Sequence, residues 1–232
     1  MSKYYKLGGV DVPSVTTITG QLDKSGALTY WAANCCADYI LEQLPQTDLT
    51  IEAIGSLVES ARKNFRKVSE DALNVGSFVH DAIEHYLKTG NEPITKDERI
   101  ISAFLAFLEW KDEHNLETIS TETTLYGPCF AGTADWIGIF NGKKYVIDWK
   151  TSKGLYPEYQ YQIAAYRSCN EDIDGCGVLR IDKETGLPEW KDTTKTYEND
   201  LHVFCILTKL WWATHPRKFA AFTEKRGDLW VQ

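Results

Sequence analysis

The chain has 232 residues, 43% of them hydrophobic and 12% aromatic, with a formal net charge of −8. That length suits one domain with elaborations, the apolar fraction is ample for a core, and the composition counts against a disordered chain. No apolar run approaches the roughly 18 residues of a membrane-spanning helix, and the first residues lack the apolar stretch of a secretory leader, so a cytoplasmic protein is expected.

The acidic balance counts against a phosphate-rich partner, because proteins that neutralise phosphates are usually basic on the face that meets them. Net charge is silent on local distribution, however, and carboxylates that hold divalent cations add to the negative count. The cysteines at 35, 36, 129, 169, 176 and 205 form no Cys-x2-Cys pair of the kind a zinc site uses. In a chain expected to stay in a reducing compartment they read as free thiols.

Taken in chain order, residues 10–19 (VDVPSVTTIT) are β-branched and predict an extended segment. Residues 27–44 carry apolar positions at helical spacing, and Pro45 ends them. Residues 50–71 read as one or two helices, followed by a helix from about Asn74 to Lys88 that closes at Thr89-Gly90. Residues 96–114 are strongly amphipathic.

The character changes near Leu116, where segments rich in Thr, Ile, Val, Tyr and Trp alternate with Gly-Pro and Asn-Gly turns, predicting a three-stranded meander. Residues 158–169 return to helix, 175–183 and 187–194 form a strand pair around Thr185-Gly186, and 197–214 is a final helix. The order is αβββαβ with extra helices before and after, in a single domain whose residues 1–115 are mainly helical and whose residues 116–232 hold the sheet.

Asp148 and Lys150 stand one residue apart in YVIDWKTS. Alternate residues of a strand share a face, so a carboxylate and an ammonium are aimed at one place. With the turn at Asn141-Gly142, strand partners have numbers summing to about 283, which sets Asp135 opposite Asp148. Cross-strand neighbours have Cβ atoms about 4.5–5.5 Å apart. Two carboxylates so close repel, and a hard divalent cation such as magnesium or manganese relieves them. The plain alternative is a surface ion pair and a turn aspartate.

His80 lies four residues after Gly76 and four before Glu84, on one helical stripe. It either offers an imidazole to a metal or is an ordinary surface histidine. Gln162 and Tyr166 are likewise four apart on the helix after the third strand, where they either face the site or form a half-buried tyrosine and an exposed amide.

The GxxxH at Gly76–His80, the GTAD ending at Asp135, the DWK at Asp148–Lys150, the QxxxY at Gln162–Tyr166 and the early PSVTTI occur together in one order. That set resembles the RecB-type branch of the PD-(D/E)XK nucleases, which includes phage exonucleases, the mitochondrial genome-maintenance exonuclease and CRISPR-associated adaptation nucleases. The likeness spans about residues 12–180. It implies a restriction-endonuclease-like α/β core with a mixed central sheet and an N-terminal helical elaboration. It implies one or two Mg2+ or Mn2+ ions held by His80, Asp135, Asp148 and the Trp149 backbone carbonyl, with Glu84 and Glu122 as further candidates.

Lys150 would then orient the attacking water and stabilise developing charge, and Gln162 and Tyr166 would position the strand and the DNA backbone. DNA is the implied partner; read from the residues, Arg62, Lys63, Arg66 and Lys67 either contact phosphates from a helical part that arches over the site or form a solvated helix face, and Lys153 is a further candidate contact. No membrane partner is expected, and a helicase or recombinase partner stays open. The expected activity is exonucleolytic, on single-stranded or end-frayed DNA, in phage or bacterial recombination or repair within the host cytoplasm. A catalytically inactive DNA-binding accessory module and a structure-specific endonuclease are the alternatives.

Relatives that clamp an iron–sulfur cluster use one early cysteine and three clustered late ones, and here the late cysteines are dispersed. No cluster is expected. Anaerobically purified protein should therefore be colourless, and a brown preparation containing iron and acid-labile sulfide would contradict this reading.

Overall fold

The computed structural model describes residues 4–183 and 185–227. The chain divides into two compact units, Met1–Leu22 with Phe78–Gln232, and Asp23–Ser77.

The larger unit opens with a hairpin of β1 (Tyr4–Leu7) and β2 (Val10–Pro13). The segment expected to stay extended turns helical after Pro13, as α1 (Val15–Thr19). The Ser14 hydroxyl accepts from the Thr17 N–H at 2.9 Å, a capping interaction, and Val15 and Ile18 are fully buried. Local β-propensity yields here to a cap and to burial.

In the smaller unit, α2 (Ser25–Gln43) leads through a 3-10 turn at Leu44–Gln46 into α3 (Ile51–Thr89). α3 is one unbroken helix of 39 residues where the sequence suggested separate pieces, and its last turns belong to the larger unit. Trp31 meets Phe65 edge to face at 6.4 Å, and the Asn64 amide donates to the Cys35 carbonyl.

The larger unit continues with α4 (Glu98–Glu113), capped by Asp97, and then the meander β3 (Glu117–Tyr126), β4 (Ala131–Phe140) and β5 (Lys143–Lys150). After α5 (Pro157–Ser168) come β6 (Gly175–Ile181), β7 (Pro188–Asp192), α6 (Tyr197–Thr214) and α7 (Pro216–Arg226). The five strands form one sheet in the order β3-β4-β5-β6-β7. β5 and β6 pair in parallel across the α5 crossover while the other pairs are antiparallel, so the fold is mixed α/β. α7 was not foreseen, although Pro216 at its start and Gly227 just past its end are ordinary helix punctuation.

Residue parity along β4 and β5 divides the core into two layers. On one face Trp136, Phe140 and Trp149 pack with Phe107 and Trp110 of α4 and Trp190 of β7, through ring contacts of 5.0–6.5 Å. On the other face Ile137, Val146 and Val178 join Val15, Ile18, Ile163, Phe204, Trp212 and Phe222. Asn141 and Gly142, with φ of 49° and 75°, make the tight turn that fixes the β4–β5 register. Trp136 pairs with Ile147 and Ile137 with Val146, the 283-sum register read from the sequence.

Among the described residues no helix is long and apolar enough to cross a membrane. Trp136 is fully buried and its indole N–H donates to the Thr118 hydroxyl. Trp136→Ala should cost about 3–5 kcal/mol, measured by urea unfolding; a loss below 1 kcal/mol would contradict the packing described.

Candidate active site

The C-terminal end of β5 places a buried carboxylate where a strand interior would ordinarily hold a branched aliphatic. Asp148 is 1% exposed, between the apolar Ile147 and Trp149. Its Oδ1 accepts from the Gln162 amide at 2.8 Å, and the Lys150 ammonium lies against its Oδ2. That Oδ2 makes no well-formed hydrogen bond. Asp148 and Lys150 therefore form a largely buried pair on one face of β5, in place of a surface ion pair.

Asp135 comes from β4. Its Oδ2 accepts from the Trp149 N–H at 2.8 Å, tying the two strands together just beyond their last paired residues. Burial, followed by the nearby Asp148 carboxylate, pushes the Asp135 carboxyl up to about 8, against the opposing pull of Lys150 and the Trp149 N–H.

His80, on the last turns of α3, brings Nδ1 to 3.5 Å from Asp135 Oδ2. Burial and the Lys150 charge lower the imidazole pKa, so the contact is between a neutral ring and a carboxyl and is not an ion pair. Burial also opposes charge on Lys150, but the Asp148 and Asp135 carboxylates outweigh it and raise the lysine above its ordinary value. Lys150 is thus an ammonium: it can donate and stabilise negative charge, and it cannot accept a proton at neutral pH.

Gln162 bridges two groups, donating to Asp148 and, at 3.1 Å, to the Tyr166 hydroxyl. Both residues are buried, so the pair is not a half-buried tyrosine with an exposed amide. Burial raises the Tyr166 pKa well above normal, so its hydroxyl stays neutral. Room for this ring comes from Gly132, where a Cβ would stand 2.5 Å from Tyr166 Cε1 and 3.1 Å from Val15 Cγ2.

The remaining sequence candidates are less central. Glu84 pairs with Lys88 on its own helix, although its charge is felt at Asp135. Glu122 acts on His80 through space and adopts a left-handed φ of 47°. The pairs Thr121–Trp136 and Thr123–Ala134 set it level with Asp135 on the neighbouring strand. Lys153 is exposed in the loop after β5, and the Trp149 indole points into the opposite aromatic layer.

Arg62, Lys63, Arg66 and Lys67 are exposed on α3 in the smaller unit, where Arg62 pairs with Glu59. Cys129 and Cys169 are pushed by burial up to about 11 and about 12, and Cys205 is exposed. Sequence reasoning missed Tyr159, whose ring lies 5.0 Å from the Lys150 ammonium. It stands three residues before Gln162 and seven before Tyr166, a spacing that would have found it.

The donor set fits a hard divalent cation. The Asp135 carboxyl is pushed up and would be relieved by a positive neighbour, Asp148 offers further carboxylate oxygen, and His80 is neutral with a lone pair to offer. His80 and Asp135 form the closest pair, and Asp148 lies within electrostatic reach of both. Among the described residues no three His, Cys, Asp or Glu side chains already stand in chelating geometry. Asp148 is instead engaged by Lys150 and Gln162.

No protein family matches the chain, and no curated protein does. Among solved structures, the alkaline exonuclease LHK-Exo from Laribacter hongkongensis aligns with a TM-score of 0.33 and 13% identity, over 70% of this chain and 87% of that one. The same enzyme in complex with dAMP gives 0.32 and 14% over the same shares. A protein named SSO0001 gives 0.27 and 23%, over 48% of this chain and 62% of the other. Likenesses of this strength carry no argument by themselves, and the chemistry rests on the residues.

Removing Lys150 strands a carboxylate that is 1% exposed. Lys150→Met should therefore destabilise the protein by about 3–5 kcal/mol, and the double variant with Asp148→Leu should recover much of that loss. Urea unfolding of the three proteins measures both effects; equal stability of Lys150→Met and wild type would contradict a buried pair.

Proposed function

We propose that the chain is a divalent-metal-dependent deoxyribonuclease of the PD-(D/E)XK type, acting as an exonuclease on single-stranded or end-frayed DNA. The observation that carries this reading is the convergence of His80, Asp135, Asp148 and Lys150 at one end of the sheet, with the two aspartates on adjacent antiparallel strands. Gln162 and Tyr166 support it by bracing Asp148 from α5. The elements β3, β4, β5, α5 and β6 follow one another in the order read from the sequence.

His80 and Asp135 would hold the metal, with Asp148 beside them. When bound, magnesium or manganese supplies Lewis-acid activation of water and of a phosphate oxygen. The chain's own contribution is electrostatic and positional. The Lys150 ammonium, fixed by Asp148, offers a donor to the attacking water and to the charge that develops on the phosphate oxygens.

Gln162 holds Asp148 Oδ1 in place, so that Lys150 is anchored through its partner. The buried surroundings of Asp135 and Asp148 keep bulk water from screening these charges. A site that retained carboxylates, imidazole and ammonium without catalysing anything would keep the desolvation cost for no return, which disfavours the inactive accessory reading.

The reaction is tested with end-labelled linear and closed circular DNA in the presence of manganese. Products should accumulate from linear DNA alone, and Asp148→Asn and Lys150→Ala should lower the rate at least about 100-fold while remaining folded by circular dichroism. Cutting of closed circles would make the enzyme an endonuclease, and undiminished cutting by both variants would exclude this site.

Metal binding has a second readout. Manganese at a hundredfold excess over its Kd should stabilise the wild-type protein by about 2.7 kcal/mol, and Asp135→Asn should abolish that increment. A thermal shift equal in the two proteins would place the ion elsewhere.

A further inference from the structure

The nuclease reading leaves open how the site would choose single-stranded DNA, and the loop joining β5 to α5 bears on it. Lys150 closes β5, and its ammonium lies over the Tyr159 ring at 5.0 Å from the centroid. Tyr159 is half-buried on the first turns of α5. Its ring meets that of Tyr156 at 5.6 Å, nearly perpendicular at 75°. Tyr156 is held in turn by its carbonyl, which accepts from the Tyr159 N–H at 3.1 Å, yet the residue is 45% exposed.

An aromatic ring thus stands in solvent two short steps from the ammonium that, on the proposed reading, would face the reacting phosphate. Its edge is braced by a second ring and its backbone is pinned at a helix start by Pro157. The same short connection exposes Lys153, and the Ser152 hydroxyl ties it down by donating to the Gly154 carbonyl at 2.8 Å. From the other side the Arg180 guanidinium donates to the Ser152 carbonyl at 3.1 Å and is itself held by Asp182 and Glu189. The loop is therefore fastened at several points, and what it presents outward is one aromatic face and one cation.

That pairing matches a nucleotide whose base is free to stack and whose phosphate needs a positive partner. Every base offers a π face, so a stacking ring binds without reading sequence, but a base inside an intact duplex has both faces covered. We propose that Tyr156, braced by Tyr159, stacks on an unpaired nucleobase next to the scissile phosphate while Lys153 contacts the adjoining phosphate, which makes the site selective for single strands and frayed ends. The inference rests on the nuclease reading for its substrate and deepens it by assigning the strand-form preference to named side chains.

The test measures binding without cleavage, so that its failure is separable from failure of the nuclease reading. Fluorescein-labelled oligothymidylate and the same strand made of abasic nucleotides are titrated with the full-length protein in EDTA and followed by anisotropy. Wild type should bind the base-bearing strand roughly tenfold more tightly than the abasic one. Tyr156→Ala should reduce that ratio to near one, and Tyr156→Trp should keep or enlarge it. Lys153→Ala should weaken both strands alike, with a shallower salt dependence.

Equal affinities of wild type for the two strands, or an unchanged ratio in Tyr156→Ala, overturns the proposal. A parallel manganese digestion reports on the nuclease reading alone. Cleavage of linear DNA together with a base-independent affinity sinks only the stacking role.

Discussion

The site depends on one unfavourable arrangement made tolerable: two aspartates from neighbouring strands, Asp148 buried and Asp135 partly exposed, lie near enough to act on one another. Asp148 is compensated within the protein, through Lys150 on its own strand and Gln162 on α5. Asp135 is compensated only in part. It has the Trp149 N–H and a neutral imidazole, and its carboxyl is pushed up to about 8. An acid so poorly matched is the place where a cation would relieve the most repulsion, which is why the proposed metal is assigned there.

Each element of the larger unit has a recognisable part in holding that arrangement. The Asn141-Gly142 turn fixes the register that brings the two strands level, and a slip of one residue would send one aspartate to the aromatic face. The aromatic layer under α4 pins Trp149, and Trp149 is the residue whose N–H steadies Asp135. Gly132 leaves the space in which Tyr166 reaches Gln162. The candidate site is therefore inseparable from core packing, and changes far from Asp135 and Asp148 would act on it through strand position.

Much of this was legible from the sequence because it depends on local rules. Strand alternation and an Asn-Gly turn suffice to put Asp135 and Asp148 on one face at the end of the β4–β5 ladder, and helical spacing suffices to align Gln162 with Tyr166. What stayed hidden depends on tertiary context. The helix Val15–Thr19 lies in a β-branched run whose only local signal is the Ser14 cap. The choice of Lys150 for Asp148 Oδ2, in place of a joint chelate with Asp135, is set by side-chain packing that no spacing rule contains. The long α3 conceals its continuity because no single stretch of it has to be helical by pattern alone.

Manganese located by its anomalous scattering in a crystal grown at neutral pH would decide the central claim. The account predicts an ion in contact with His80 and Asp135, with Asp148 adjacent. Crystals soaked in millimolar manganese that show no peak there, or a peak bound wholly by other residues, would contradict it.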